Sequence, residues 1–146
     1  MISLICKKYG IENYTFNSDG SIDVNGNVDL YYMELKQLPL IFNKVTGSFD
    51  GSYNDLTSLK GSPRWVGGWF DCYNNDLTSL EFSPDHVGSV FSCDCNDLTD
   101  NYCDTEIGGK FYTTLKQDGL TKDNYNEWRK LYKRKLTLNE LYTRHM

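Results

Sequence analysis

The chain repeats itself every 21 residues, and few other features constrain a fold as tightly. Set in rows of 21, Val24, Val45, Val66 and Val87 fall in one column, with Gly26, Gly47 and Gly68 two places on and Val28, Phe49, Phe70 and Phe91 two further. Leu30, Gly51, Cys72 and Cys93 follow, then Met33, Asn54, Asn75 and Asn96, then Leu35, Leu56, Leu77 and Leu98. Leu38, Leu59 and Leu80, with Pro63 and Pro84, complete the row. The consensus reads V-x-G-x-F-x-C-x-x-N-x-L-T-S-L-x-x-S-P-x-x. A period of this length marks a solenoid, in which each turn is too small to bury its own apolar face and is stable only when stacked on its neighbours.

Strand alternation then sorts the side chains. Phe70 and Cys72 point one way, and Trp69, Asp71 and Tyr73 the other. Stacking at about 4.8 Å turns the Phe, Cys and Leu columns into a continuous core. The asparagine column reads as an amide ladder satisfying backbone groups in the turns, and Cys72 and Cys93 read as small buried hydrophobes. Met33 replaces asparagine in the first turn, as suits a modified terminal repeat.

The segment F-x-C-x-x-N-x-L has the spacing of the leucine-rich-repeat core L-x-L-x-x-N-x-L, and NDLTSL followed by proline resembles the short bacterial class of that family. The likeness spans residues 24 to about 106. The strings NYTFNSDGSIDVNGNVDL and NDLTSLKGSP, with VGGWFDCYNNDLTSL after it, are similar to a group of repeat proteins carried by bacteriophage and some bacterial genomes. That resemblance implies a fold and a context, and no mechanism.

One domain covering 1–146 is expected: an α+β solenoid of parallel strands with an N-terminal cap over 1–23, repeats over 24–115 and a helical cap over 116–146. NYTFNSDGSIDV reads as a hairpin around Ser18-Asp19-Gly20, with Tyr14 and Phe16 facing Ile22 and Val24. Ile107 to Phe111 opens a fifth strand one residue early. Thr121 then caps a helix carrying Tyr125, Trp128, Leu131 and Tyr132 at helical spacing, and a second short helix covers 138–145.

Catalytic signatures are missing from the sequence: no phosphate-binding glycine loop, nucleophile elbow or zincin helix. His86, placed between turns, and His145 stand outside any motif. Cys93 and Cys95 lack the two-residue separation of a zinc pair, and the repeat lacks the nonapeptide of calcium-binding β-rolls. No metal, cofactor, enzymatic activity or small-molecule substrate is expected. Five cysteines make an odd number and read as reduced thiols, and the N-terminus MISLICKKYG is unlike a secretory signal, which together point to a cytoplasmic protein with no membrane segment.

Charge is unevenly distributed: residues 1–115 sum to −9 and residues 116–146 to +4. The outward strand positions form columns of Asn27, Ser48, Trp69, Val90 and Lys110; of Asp29, Asp50, Asp71, Ser92 and Tyr112; and of Tyr31, Ser52, Tyr73, Asp94 and Thr114. Aspartates at strand spacing repel, and exposed Trp and Tyr are typical of binding hot spots. The candidate partner-binding set is therefore Asp29, Tyr31, Asp50, Trp69, Asp71, Tyr73, Asp94 and Tyr112, although an outward Asp copied with each duplication would also give an acidic column. Arg129, Lys130, Lys133, Arg134 and Lys135 form a second, basic patch, either complementing a helix C-terminus or contacting an acidic partner.

The expected function is non-enzymatic protein binding. In a phage setting the partner would be a host protein that is inhibited, such as a CRISPR or restriction component; direct nucleic-acid binding is disfavoured by the acidic body. Alternatives are an acidic mimic of nucleic acid and a structural or assembly component. Oligomeric state is left open.

Overall fold

A computed structural model describes residues 1–99 and 103–113. The repeat closes into a solenoid of stacked parallel strands, and each turn contributes two short strands rather than one. The first of each pair is centred on the valine column: β2 (Ile22–Val24), β4 (Phe42–Val45), β6 (Trp65–Val66), β8 (His86–Val87) and β10 (Glu106–Ile107). The second begins at the Phe column: β3 (Val28–Asp29), β5 (Phe49–Asp50), β7 (Phe70–Asp71), β9 (Phe91–Cys93) and β11 (Phe111–Thr113). Two parallel sheets result, a valine sheet and a phenylalanine sheet, meeting at a corner in every turn. Between β4 and β8 the register steps by 21 residues, and the last turn takes 20, pairing Ile107 with Val87 and Phe111 with Phe91. The early start of the last turn is as expected; the valine sheet was not.

The corner explains the glycines. A Cβ at Gly88 would land on the carbonyl oxygen of Gly67, and one at Gly108 on that of Gly88. Successive corners are thus stacked too closely for side chains, which lets both strands of each turn keep register with their neighbours.

Inside, the Phe49, Phe70, Phe91 and Phe111 rings form one column at centroid spacings of 5.2–5.3 Å. The Val, Cys and Leu columns surround it, all buried. Asparagine completes each turn by reaching back to the one before. Asn75 Nδ2 donates to Gly51 O (3.0 Å) and Cys72 O (3.1 Å), while its Oδ1 accepts the N–H of Leu56 (3.0 Å). Asn54 Oδ1 accepts the N–H groups of Met33 and Leu35 in the same way. The first turn has no predecessor to bond, so Met33 stands at that position without loss. The residue before each asparagine, and before Met33 in the first turn, is left-handed: Tyr32, Tyr53, Asn74 and Cys95 have φ between 51° and 57°. A conformation that costs L-residues about 1–2 kcal/mol thus recurs at the same place in four successive turns.

At the N-terminus the expected hairpin is present: β1 (Tyr14–Phe16) lies antiparallel on β2, with Tyr14 opposite Val24 and Phe16 opposite Ile22. It closes the edge of the valine sheet, whereas β3 is the terminal strand of the phenylalanine sheet. The cap is more than a hairpin, however. A helix, α1 (Ile2–Lys8), precedes it and brings Cys6 into the core, with Ile2, Ile5 and Tyr9 packed against it. The helical cap expected over 116–146 lies outside the described residues. Among the described residues no helix is long and apolar enough to cross a membrane.

Candidate interaction face

Both sheets present an outer column of side chains, and the two are built differently. On the valine sheet, strand pairing places Asp23, Lys44, Trp65, His86 and Glu106 side by side. Lys44 Nζ lies 4.8 Å from the Trp65 ring centroid, and His86 stacks on the indole at 5.3 Å and 9°. Both faces of Trp65 are thereby covered. Asp23 accepts from Asn43 Nδ2 (2.9 Å) and Asn17 Nδ2 (3.1 Å), and these two bonds hold its carboxyl below the usual value. Arg64 pairs with Asp85 at 3.9 Å. His86, expected in a segment between turns, is a strand residue because the valine column itself forms a sheet.

The phenylalanine sheet carries the residues singled out from sequence. Asp29, Asp50 and Asp71 line up across β3, β5 and β7. Each Oδ1 turns back to accept the backbone N–H two residues on, from Tyr31, Ser52 and Tyr73 respectively, at 2.8–3.0 Å. The acidic column therefore has a structural job, as an Asx turn ending each strand. Its charges still repel: burial pushes the Asp71 carboxyl above its ordinary value, and Asp50 and Asp94 push it further against the pull of the Tyr73 N–H. Among the described residues the only Lys–Asp or Arg–Asp ion pair lies on the valine sheet.

Beside the aspartates runs a tyrosine cluster. Tyr31 meets Tyr53 edge-on at 5.4 Å, Tyr53 meets Tyr73 at 5.4 Å, and Tyr31 lies 6.1 Å from Tyr32. Tyr73 shares a hydrogen bond with the Cys95 side chain, which, with the nearby Cys95 and Tyr53, pushes its hydroxyl up to about 12. Tyr53 and Tyr32 were missed from sequence. They come from the left-handed column, whose side chains swing outward toward the aspartates' neighbours. Ser52, expected to face outward between Tyr31 and Tyr73, is instead buried, its hydroxyl bonded to Asp50. Tyr112 on β11 pairs with Ser92 at the far end of the same sheet.

Trp69 is 41% exposed, and its column shrinks toward the N-terminus. Its backbone N–H donates to Ser48 Oγ (3.0 Å), and the Ser48 backbone N–H donates to Asn27 Oδ1 (2.8 Å). Ser48 thus stands where Trp65 has Lys44, and Val90 where it has His86. On the Ser48 side this leaves a groove of about 250 Å³ walled by Asn27, Val28, Asp29, Ser48, Asp50 and Trp69. No ring or cation among the described residues stacks on this indole. A larger cavity of about 470 Å³ lies along the connecting loop Ser79–Asp85, away from both sheets' outer columns.

Cys72, Cys93 and Cys103 are buried and Cys95 is exposed; no disulfide joins the described cysteines. Burial pushes the Cys72 and Cys93 thiols well above their usual range, which makes them poor nucleophiles at neutral pH. No group of three His, Cys, Asp or Glu among the described residues is placed to hold a metal ion. Arg129, Lys130, Lys133, Arg134 and Lys135 lie outside the described residues.

No protein-family model, curated protein or solved structure matches the chain.

Proposed function

We propose that this chain is a non-enzymatic protein-interaction module, a leucine-rich-repeat-like solenoid whose phenylalanine sheet is the docking face. The observation that carries this reading is the open indole of Trp69 beside an aspartate column that no cation among the described residues neutralises. Exposed aromatic surface next to uncompensated charge is costly to leave bare, and a partner that covers one and neutralises the other recovers both. The parallel sheet supplies a rigid platform on which such groups keep fixed spacing. In the setting implied by the resemblance, the partner is a bacterial host protein inhibited by the complex, with an antiviral defence component as the type of target.

The test is affinity capture from a bacterial host lysate with the wild-type chain and with Trp69→Ala/Asp71→Ala. A partner retained by the first and lost by the second is the expected result, and the partner's own activity should fall on stoichiometric addition of the chain. A partner held equally by both forms overturns the assignment of the face.

The second reading, an acidic mimic of nucleic acid, draws on the same aspartate column. Affinity that falls steeply with salt and ignores the aromatic substitution supports it; salt-insensitive affinity that collapses with Trp69→Ala excludes it.

A further inference from the structure

Resting on that reading of the phenylalanine sheet, we propose that the Trp69 groove is a receptor for one arginine side chain of the partner, its guanidinium laid on the indole face and bonded to the Asp29 and Asp50 carboxylates. The groove, at about 250 Å³, falls below the ~300–1,000 Å³ typical of small-molecule pockets and suits a single long side chain. Its walls define the charge of the occupant. Asp29 and Asp50 each commit Oδ1 to a backbone N–H, which leaves Oδ2 to a donor from outside. An anion is repelled there, and a neutral side chain leaves two carboxylates unneutralised.

The indole selects among cations. A guanidinium is planar and weakly hydrated, so it can lie flat on an aromatic ring while its in-plane N–H groups reach carboxylates at the ring's edge. An ammonium is compact and strongly hydrated, and meets only part of this arrangement. Trp65 marks the contrast within the same turn: its faces hold Lys44 and His86 from its own chain. At Trp69 the corresponding neighbours are Ser48 and Val90, so among the described residues neither neighbour supplies a cation.

The full chain is titrated with tetra-arginine, tetra-citrulline and tetra-lysine amides, following the Trp69 indole N–H by NMR, with its signal assigned by its loss in Trp69→Phe. Citrulline has nearly the shape of arginine without the charge. Tetra-arginine should shift that signal and bind about tenfold tighter than tetra-citrulline, and tighter than tetra-lysine. Trp69→Ala and the double variant Asp29→Asn/Asp50→Asn should each lose about tenfold, while Trp65→Ala retains full affinity. Asparagine keeps the oxygen that accepts the backbone N–H, so the double variant removes charge without removing the turn bond. Equal binding of the arginine peptide to either neutral citrulline or lysine, or affinity untouched by these variants, overturns the proposal.

Partner capture separates this from the broader reading. A partner lost with Tyr31→Ala/Asp71→Asn yet held by Trp69→Ala and by Asp29→Asn/Asp50→Asn overturns the arginine receptor and leaves the face standing. A partner held by every variant overturns the face itself.

Discussion

Trp65 opens β6 and Trp69, four residues on, immediately precedes β7 in the same turn, and both are partly exposed. Trp65 is sandwiched between Lys44 and His86, in a column whose end residue Asp23 is hydrogen-bonded to two asparagine amides. Trp69 faces Ser48 and Asn27 across a groove, beside the carboxylates of Asp29 and Asp50. The outer column of the valine sheet is partnered within the chain, while the groove beside Trp69 is what makes the phenylalanine sheet the proposed docking face. At similar exposure, the identity of the residue one turn away sets a ring's surroundings.

The deepest cut is into the core behind the two sheets. Phe70→Ala removes the centre of the ring column and should cost about 3–5 kcal/mol, whereas Val66→Ala beneath Trp65 should cost about 2 kcal/mol, both read by chemical denaturation. If the two losses were equal, the phenylalanine column would not be the heavier structural element. Asn75→Ala strands the Leu56 N–H and the Gly51 and Cys72 carbonyls, a loss of about 3 kcal/mol by the same measurement.

The surface tryptophans should then separate stability from binding. Trp65→Ala forfeits a cation–π contact and a ring stack and should lower stability by about 1–2 kcal/mol with partner capture intact. Trp69→Ala should change stability by no more than about 0.5 kcal/mol and abolish capture. A reversed pattern would exchange the roles of the sheets.

The smallest effects concern pH, and their signs differ. Asp23 is held low by its amide partners, so its contribution to stability is present above the unfolded pKa and is lost as pH falls through the folded one. Asp71 is raised by burial, so the folded state prefers it protonated: its relative stabilisation is full below the unfolded pKa and vanishes as pH rises through the folded one. At neutral pH, Asp71→Asn should stabilise the chain, since asparagine still accepts the Tyr73 N–H, and the gain should shrink on acidification. Asp23→Asn should destabilise at neutral pH and become neutral in acid. Thermal melts of both variants across the carboxylate range decide it.

Much of the fold was legible because a stacked solenoid converts columns in sequence into columns in space. The Phe, Leu and Asn columns and the shortened last turn followed from the period, and the hairpin of Tyr14 and Phe16 on Ile22 and Val24 followed from the turn residues Ser18-Asp19-Gly20. Helix α1 was legible in principle, since Ile2, Ile5, Cys6 and Tyr9 fall at helical spacing, but seven residues without a capping side chain make a faint signal. The aspartates were visible as a column, but their turn bonds were not. Tyr53 was overlooked because its position holds Tyr, Tyr, Asn and Cys in successive turns, which share a backbone conformation and no side-chain chemistry.

By itself, then, the sequence determined the repeat, the inward and outward assignment of the Phe strand, and the acidic and aromatic character of its outer face. Those depend only on the 21-residue period and on alternation along a strand. Tertiary structure decided that the valine column forms a second sheet, because only the close stacking of glycine corners lets both strands of a turn pair at once. It also decided that Trp65 is covered and Trp69 open, because a ring's surroundings are set by the side chains that register places above and below it.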